Sequence, residues 1–292
     1  MQKTWSIISI LALLGSFYSY ADTVYSAWNL EWLTSTPSSK FKSSLRDDQD
    51  YQSLHRHFTS MDSDILAFQE VNDKQALKKV IGSDYQIFFS HRSNAANQHH
   101  QFSDINQYTG FAVKKGISVK DMPDVKLDRS RNSKLRFASY VLLHPDSHKP
   151  IHALSVHLKA RCSGAYNGSK ACRTLKAQGE ELNKWIKERE RANDAYVILG
   201  DFNHNMGYQG DWLWDEIARG TKAVLASKSS KAECKVRSRN NPNKTHQFRS
   251  LIDHIIVSKV LTASTPKQDI FPVQDVLKYQ LSDHCPLSSD VR

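Results

Sequence analysis

The chain has 292 residues, with 40 Lys and Arg against 30 Asp and Glu, for a formal net charge of +10. Hydrophobic residues make up 39% and aromatics 10%, spread along the whole length, which predicts a packed core and excludes intrinsic disorder. The 11 Gly and 8 Pro exclude collagen-like and low-complexity architectures, and no stretch approaches the roughly 18 apolar residues of a membrane-spanning helix.

Residues 1–21 read as a secretory signal peptide. Lys3 supplies a positive start, Ile7 to Phe17 is nearly all apolar, and Ser19 and Ala21 place small residues where a signal peptidase cuts. The mature protein then starts at Asp22 and is periplasmic or secreted, with 22–292 as a single catalytic domain. Val24 to Trp28 begins it as a strand. Arg46 to Phe58 suits an amphipathic helix, and Asp64 to Gln69 a buried strand. Gly110 to Val113, Phe137 to Leu143 and Ile151 to Leu158 are further strands. Thr174 to Arg191 sets Leu175, Leu182, Trp185 and Ile186 at helical spacing with charges opposite. Tyr196 to Leu199 and Leu251 to Val257 are apolar strands, and Leu281 to Leu287 closes the chain. Near Tyr208, Trp214 and Ile217 lie three apart, as in a helix packed on a sheet; an exposed aromatic tip is the other reading. Strands alternating with helices, and adjacent strands without a helix between them, predict a mixed α/β sandwich. No repeat or composition break divides it.

Export changes the meaning of the four cysteines, because disulfides persist outside the cytoplasm. Cys162 and Cys172 flank a short loop and are paired here, which leaves Cys234 with Cys285. Four cysteines allow three connectivities. No Cys-x-x-Cys pair points to zinc.

Polar clusters stand at the ends of the apolar runs. They are Trp28-Asn29-Leu30-Glu31, Gln69-Glu70-Val71, His157-Leu158-Lys159, Gly200-Asp201-Phe202-Asn203, Asp253-His254 and Ser282-Asp283-His284. Six such clusters can converge on one rim of a sheet, where rigid elements hold a site. Carboxylates and amides are hard oxygen donors that favour Mg²⁺, with Mn²⁺ or Ca²⁺ as alternatives, over zinc. A cation, a histidine base and amide donors are what phosphodiester hydrolysis needs. His254 is assigned a structural place, since its strand neighbour Asp253 points to the opposite face.

The ordered series from Trp28 to Leu287 resembles the endonuclease/exonuclease/phosphatase superfamily, and within it the secreted deoxyribonuclease I-like enzymes. That resemblance implies a four-layer α/β/β/α sandwich, two mixed sheets packed face to face with helices outside. By position, Glu70 resembles the principal metal ligand with Asn29 beside it, and Asp283 a carboxylate supporting the metal or the base. His284 resembles the general base and Asp253 its orienting carboxylate. Asp201 and Asn203 resemble the residues that place the nucleophile and hold a phosphate oxygen. His157 resembles the second histidine, which stabilises the phosphate or protonates the leaving oxygen. Pancreatic-type enzymes pair that histidine with a glutamate on an earlier strand; none stands around Gln107-Tyr108-Thr109-Gly110. Arg131 or Arg136 fits the expected phosphate-side arginine.

The substrate is read from charge. From Lys222 to Arg249 there are eight basic residues and one acid, Glu233. Lys235, Arg237 and Arg239 lie at the middle of what reads as a long basic loop before the Asp253 strand. Such a loop attracts a polyanion backbone without reading its sequence. The expected protein is a monomeric endonuclease acting on DNA, with RNA as a second candidate substrate and no stable membrane association. A sphingomyelinase-like lipid phosphodiesterase and a non-catalytic extracellular DNA-binding protein are the alternatives.

Overall fold

The computed structural model describes residues 22–292; the leader read at 1–21 lies outside the described residues. In chain order the strands are β1 (Thr23–Leu33), β2 (Ile65–Val71), β3 (Tyr85–Phe89), β4 (Tyr108–Lys114), β5 (Val119–Val125), β6 (Ala138–Leu143), β7 (Ile151–His157), β8 (Ala195–Asp201), β9 (Val224–Leu225), β10 (Lys235–Arg237), β11 (Thr245–Gln247), β12 (Asp253–Val257), β13 (Lys267–Gln268) and β14 (Leu287–Val291). The helices are α1 (Asp48–Met61), α2 (Lys74–Ile81), α3 (Lys170–Ala192), α4 (Trp212–Ala218) and α5 (Val273–Lys278).

Two six-stranded sheets result, one in the order β13-β14-β1-β2-β4-β3 and the other β5-β6-β7-β8-β12-β9. β1 pairs parallel with β2 and β7 parallel with β8, while the remaining pairs are antiparallel, so both sheets are mixed. Their inner faces meet in a core of Tyr25, Ala27, Ile65, Phe111, Val141, Val197, Leu199 and Ile255. The outer face of the first sheet packs Trp28, Leu66 and Phe68 against Leu54, Phe58, Leu77 and Val80 of α1 and α2. That of the second packs Leu154, Tyr196 and Ile198 against Leu175, Leu182, Trp185, Leu213 and Ile217 of α3 and α4. The order helix, sheet, sheet, helix is the expected four-layer sandwich. Each side chain buried this way contributes roughly 1.5–3 kcal/mol.

Local signals explain the helix starts. Asp47 and Asp50 form a capping box at α1, and Ser169 accepts from Cys172 N at α3. Asp211 caps α4 by accepting from Leu213 N and Trp214 N. Trp214 and Trp212 pack on the second core, while Tyr208 stays exposed. The pattern did not reveal α2, α5, or the edge strands β3 and β5. β5 carries Pro123 and exposed charges, as edge strands do.

Two expectations are corrected. The last strand is Leu287–Val291, and residues 281–286 are irregular. Side chains, not a ladder, take the backbone donors there: Glu31 Oε2 accepts from Asp283 N (2.9 Å) and Ser282 Oγ from His284 N (3.1 Å). The stretch expected as one basic loop instead carries β9 and, from Lys235 to Gln247, a β10–β11 hairpin. The Cys234–Cys285 disulfide ties its base to the His284 segment, and Cys162 pairs with Cys172. Among the described residues no helix is long and apolar enough to cross a membrane.

Candidate active site

Topology decides which strand ends meet. β1 and β2 are parallel and so end together; β7 and β8 likewise. β12 runs against β8 with Asp253 opposite Asp201, so its first residue reaches the rim where β8 finishes. β14 runs against β1, so the segment just before it, Ser282 to His284, arrives at the end of β1. Gln69 Nε2 donates to Ser155 Oγ (3.1 Å), which donates to Phe68 O (3.1 Å), and this clip fixes one sheet's rim against the other.

At that rim the backbone leaves regular geometry. The register shifts after Asn29 in β1 and after Phe68 in β2. Glu31, Trp32 and Glu70 have φ of 44°, 55° and 58°, and Asn203 after β8 has 54°. Non-glycine residues in the left-handed region cost about 1–3 kcal/mol each and gather at functional sites; bulges re-aim side chains there. Gly200 is required just before Asp201: its φ is 140°, and a Cβ would run into the Val156 carbonyl of the neighbouring strand.

The side chains form one network. Asn29 Nδ2 donates to Glu70 Oε1 (3.3 Å) and to Asp201 Oδ2 (3.1 Å), bridging the sheets. Trp32 N donates to Glu70 Oε2 (3.2 Å). Asp201 also accepts from Asn203 N (2.7 Å) and Asn203 Nδ2 (3.0 Å). His284 Nδ1 lies 2.8 Å from Asp253 Oδ2, and its Nε2 lies 3.9 Å from Asp201 Oδ2. His157 Nε2 stands 3.5 Å from Asp201 and 3.7 Å from Glu70. Its Nδ1 is buried with no partner, consistent with the missing glutamate. Arg136 Nη2 and Asn203 Nδ2 both donate to Leu158 O (2.9 and 3.2 Å). A cleft of about 730 Å³ opens over these groups.

Burial against few counter-charges shifts their acidities. Burial, then the Asp283 charge, pushes Glu31 up to about 7, with Arg46 opposing. Glu70 is raised by burial, partly offset by Arg136. Asp201 is pushed up to about 7 by burial and by Asp253, with His284 opposing. Burial alone would lower His284, but the Asp253 and Asp201 carboxylates hold it well above the ordinary histidine value. His157 falls well below it through burial and the charges of Arg136, His284 and Arg92.

Glu31, Glu70 and Asp283 thus form a partly buried carboxylate group, with Arg46, Arg136 and Arg239 offsetting part of its charge and Asn29 beside Glu70. Such a hard-oxygen set fits Mg²⁺, Mn²⁺ or Ca²⁺. Asp201, Asp253 and His284 also place one ligand atom each within 4.8 Å of one another, and Asp253 Oδ1 is buried without a partner.

Of the residues expected from sequence, Asn29, Glu70, His157, Asp201, Asn203, Asp253, Asp283, His284 and Arg136 meet at this rim. His254 faces away, with Ser227 Oγ 2.8 Å from its Nδ1, and burial lowers it to about 4. Arg131 does not join: it is exposed on a turn closed by Asp128 with Ser130 and Ser133. Lys235 and Arg237 do not line the cleft either. Val236 between them is buried, so strand alternation turns both away, and Arg237 Nη2 donates to Tyr279 O (3.1 Å). Arg239 does reach the cleft and pairs with Asp283 (3.1 Å), and Phe248 and Arg249 line it as well.

Sequence reasoning placed Glu31 in the first cluster without giving it a role, and missed Arg46. The signal for Glu31 was its place two residues from Asn29 in one strand. Arg46 gives no sequence signal, because its guanidinium serves backbone: it donates to the carbonyls of Leu30, Glu31, Gln280 and Leu281 at 2.9–3.1 Å. It thereby joins the Glu31 bulge to the His284 segment. Arg46→Met is expected to cost about 2–4 kcal/mol, because carbonyls are left unpaired, and to lower activity. Arg46→Lys is expected not to restore either, since one ammonium cannot span four acceptors. Chemical denaturation beside an activity assay reads both; full stability of Arg46→Met would contradict this role.

The sequence model of the Endonuclease/Exonuclease/phosphatase family matches residues 26–284. Among solved structures, similar ones include a mannosyl-6-phosphatase of Bacteroides thetaiotaomicron at 14% identity, covering 92% of this chain and 99% of that one, with a TM-score of 0.60. TDP2 from C. elegans is 17% identical over 92% of this chain and 74% of that one, TM-score 0.62. The human nocturnin catalytic domain with bound sulfate is 18% identical over 93% and 94%, TM-score 0.58. At such identities the likeness is one of fold. No curated protein sequence matches the chain significantly.

Proposed function

The chain belongs to the endonuclease/exonuclease/phosphatase family, whose members are hydrolases of phosphoester bonds, and on that premise we propose that it is an exported, divalent-metal-dependent endonuclease acting on DNA, and on RNA as a second substrate, with little sequence preference. The observation that carries the substrate class is the disulfide-tied hairpin, which sets Arg239 and, just beyond β11, Arg249 at the mouth of the catalytic cleft. A cationic wall there meets a backbone of repeated phosphates rather than a single phosphate ester. Two disulfides support export, as they persist in oxidising compartments.

Each residue has a role in this reading. Glu70, Glu31 and Asp283, with Asn29, would hold the cation, which supplies charge to a phosphate oxygen. Asp201 and Asn203 orient the attacking water in line with the leaving oxygen. His284 takes the water's proton at Nε2, while Asp253 holds its Nδ1–H and keeps that tautomer. Arg136 meets the charge that grows on the phosphate. His157, without a carboxylate on Nδ1, is suited to donating a hydrogen bond from neutral imidazole rather than to carrying a proton.

The test is supercoiled-plasmid nicking by oxidised protein starting at Asp22, with Mg²⁺, with EDTA, and beside a small diester, bis(p-nitrophenyl) phosphate. Nicking that needs the cation is expected. Hydrolysis of the small diester with plasmid and RNA left intact would overturn the nuclease reading and turn attention to sphingomyelin and sugar phosphates.

A further inference from the structure

The segment Lys159-Ala160-Arg161 leaves the rim one residue after His157, past the buried Leu158. Ala160 lines the catalytic cleft, whereas Lys159 and Arg161 line a neighbouring groove of about 890 Å³. Its far wall is the start of α3, with Lys170 and Arg173 exposed. The ridge between cleft and groove is held stiffly. The Cys162–Cys172 disulfide closes the loop that follows it, with 4.9 Å between the Cα atoms, and Trp212 Nε1 donates to Gly164 O (2.9 Å).

The groove's acids are mostly spent. Asp128 accepts from Ser130 and Ser133, and Glu181 pairs with Arg129 and Lys184. Glu180 remains, against Lys159, Arg161, Lys170 and Arg173, none of which has an ion pair among the described residues. The first turn of α3 carries no acidic residue, so its cations stand where the helix field is already positive. Lys159 is lowered by partial burial and by the charges of Arg136 and Arg161, with no carboxylate among the causes. Arg136 in the cleft and Lys159, Arg161 and Arg173 in the groove thus put cations on both sides of the ridge next to the catalytic rim. The four Cα–Cα steps from His157 to Arg161 span at most about 14 Å. A nucleic-acid strand presents a phosphate about every 3.4 Å along its axis, so several phosphates fall within that reach.

We propose that this groove is a second binding track, which takes the phosphates flanking the scissile one on a nucleic-acid strand and reads no base. The inference rests on the nuclease reading of the cleft. It assigns Lys159, Arg161, Lys170 and Arg173 to the polymer, and no part of the track is reached by a small diester.

The experiment is Arg161→Glu/Arg173→Glu, both exposed, measured on long DNA and on bis(p-nitrophenyl) phosphate across a salt series. The expected result is a KM on long DNA raised about tenfold or more at moderate salt, with the log–log salt dependence flatter by about 2 for two lost contacts. Activity on the small diester stays as in the parent protein, and near-ultraviolet circular dichroism checks the fold. The milder Arg161→Gln/Arg173→Gln pair moves KM the same way by less. An unchanged KM and salt slope in a protein that nicks plasmid would overturn the track alone. A parent protein that hydrolyses the small diester but binds and cuts neither DNA nor RNA would overturn the nuclease reading and the track with it.

Discussion

His284→Ala is expected to lower phosphodiester hydrolysis by about 10³-fold or more without unfolding the protein, the upper part of the range for loss of a general base. The side chain is largely shielded and makes one strong bond, to Asp253, while the segment around it is fixed by other atoms: Trp28 Nε1 donates to His284 O (3.1 Å), and Ser282 Oγ donates to Asn29 O (2.6 Å). Truncating the imidazole therefore spares the bonds that hold the loop. Asp253→Asn separates charge from position. Burial disfavours the charged imidazole and Asp253 opposes burial, so loss of that carboxylate's charge lowers the His284 pKa. A base acts when deprotonated, so the acidic limb of the pH–rate profile moves to lower pH. The plateau rate falls as well, because the tautomer is no longer held. Rates of cleavage from pH 5 to 9 for the parent protein and both variants decide the matter. An acidic limb that stays in place in Asp253→Asn, or a His284→Ala protein within tenfold of the parent, would remove His284 from the role of base.

The parts of this site that could be read in the sequence are those with a local signature. Asp201 follows an apolar run and a glycine, and Gly200 must be glycine because the Val156 carbonyl crowds it. Asp253 and His254 divide by strand alternation, one facing the rim and the other the core. The sandwich itself was legible because each interior strand is apolar on two faces, one covered by the other sheet and one by a helix. What escaped depends on contacts distant in sequence. Arg46 reaches carbonyls up to 235 residues away, and backbone acceptors carry no side-chain identity to notice. The basic stretch was visible as charge, but only the folded hairpin shows that Lys235 and Arg237 turn away while Arg239 and Arg249, outside the paired residues, line the cleft. The strand expected at Leu281 to Leu287 failed for a related reason: Ser282 and Glu31 capture the amides that a ladder would have used.

Cation binding by the carboxylate group is expected to release protons below about pH 7 and to release few above pH 8. Glu31 is held near 7 against an ordinary value of 4.5, so in the cation-free protein it carries a proton over much of that interval and must lose it to act as a ligand. The unfolded chain gives up the same proton near 4.5, so between about 4.5 and 7 the cation-free protein loses stability as pH rises. Asp201, also pushed up to about 7 from 3.8, adds to this in the same direction. Addition of Mg²⁺ or Mn²⁺ reverses the loss, since a cation that binds only the folded chain stabilises it. Glu70→Gln removes a ligand outright and is expected to weaken cation binding by about 100-fold or more, with activity falling at least as far; Glu31→Gln reduces the proton release, leaving the share of Glu70, which burial also raises, while retaining weaker binding. Calorimetric titration in buffers of different ionisation enthalpy counts the protons, and thermal melts at pH 6 and pH 8 with and without cation give the stability. Equal affinity at both pH values, with no proton released, would show that Glu31 stands outside the cation site. A Glu70→Gln protein that binds Mn²⁺ as tightly as the parent would move the site to Asp201, Asp253 and His284, whose ligand atoms already lie within 4.8 Å of one another. In that case His284 would be a ligand rather than the base, so the metal titration and the pH–rate profile must agree on which of the two carboxylate groups the cation takes.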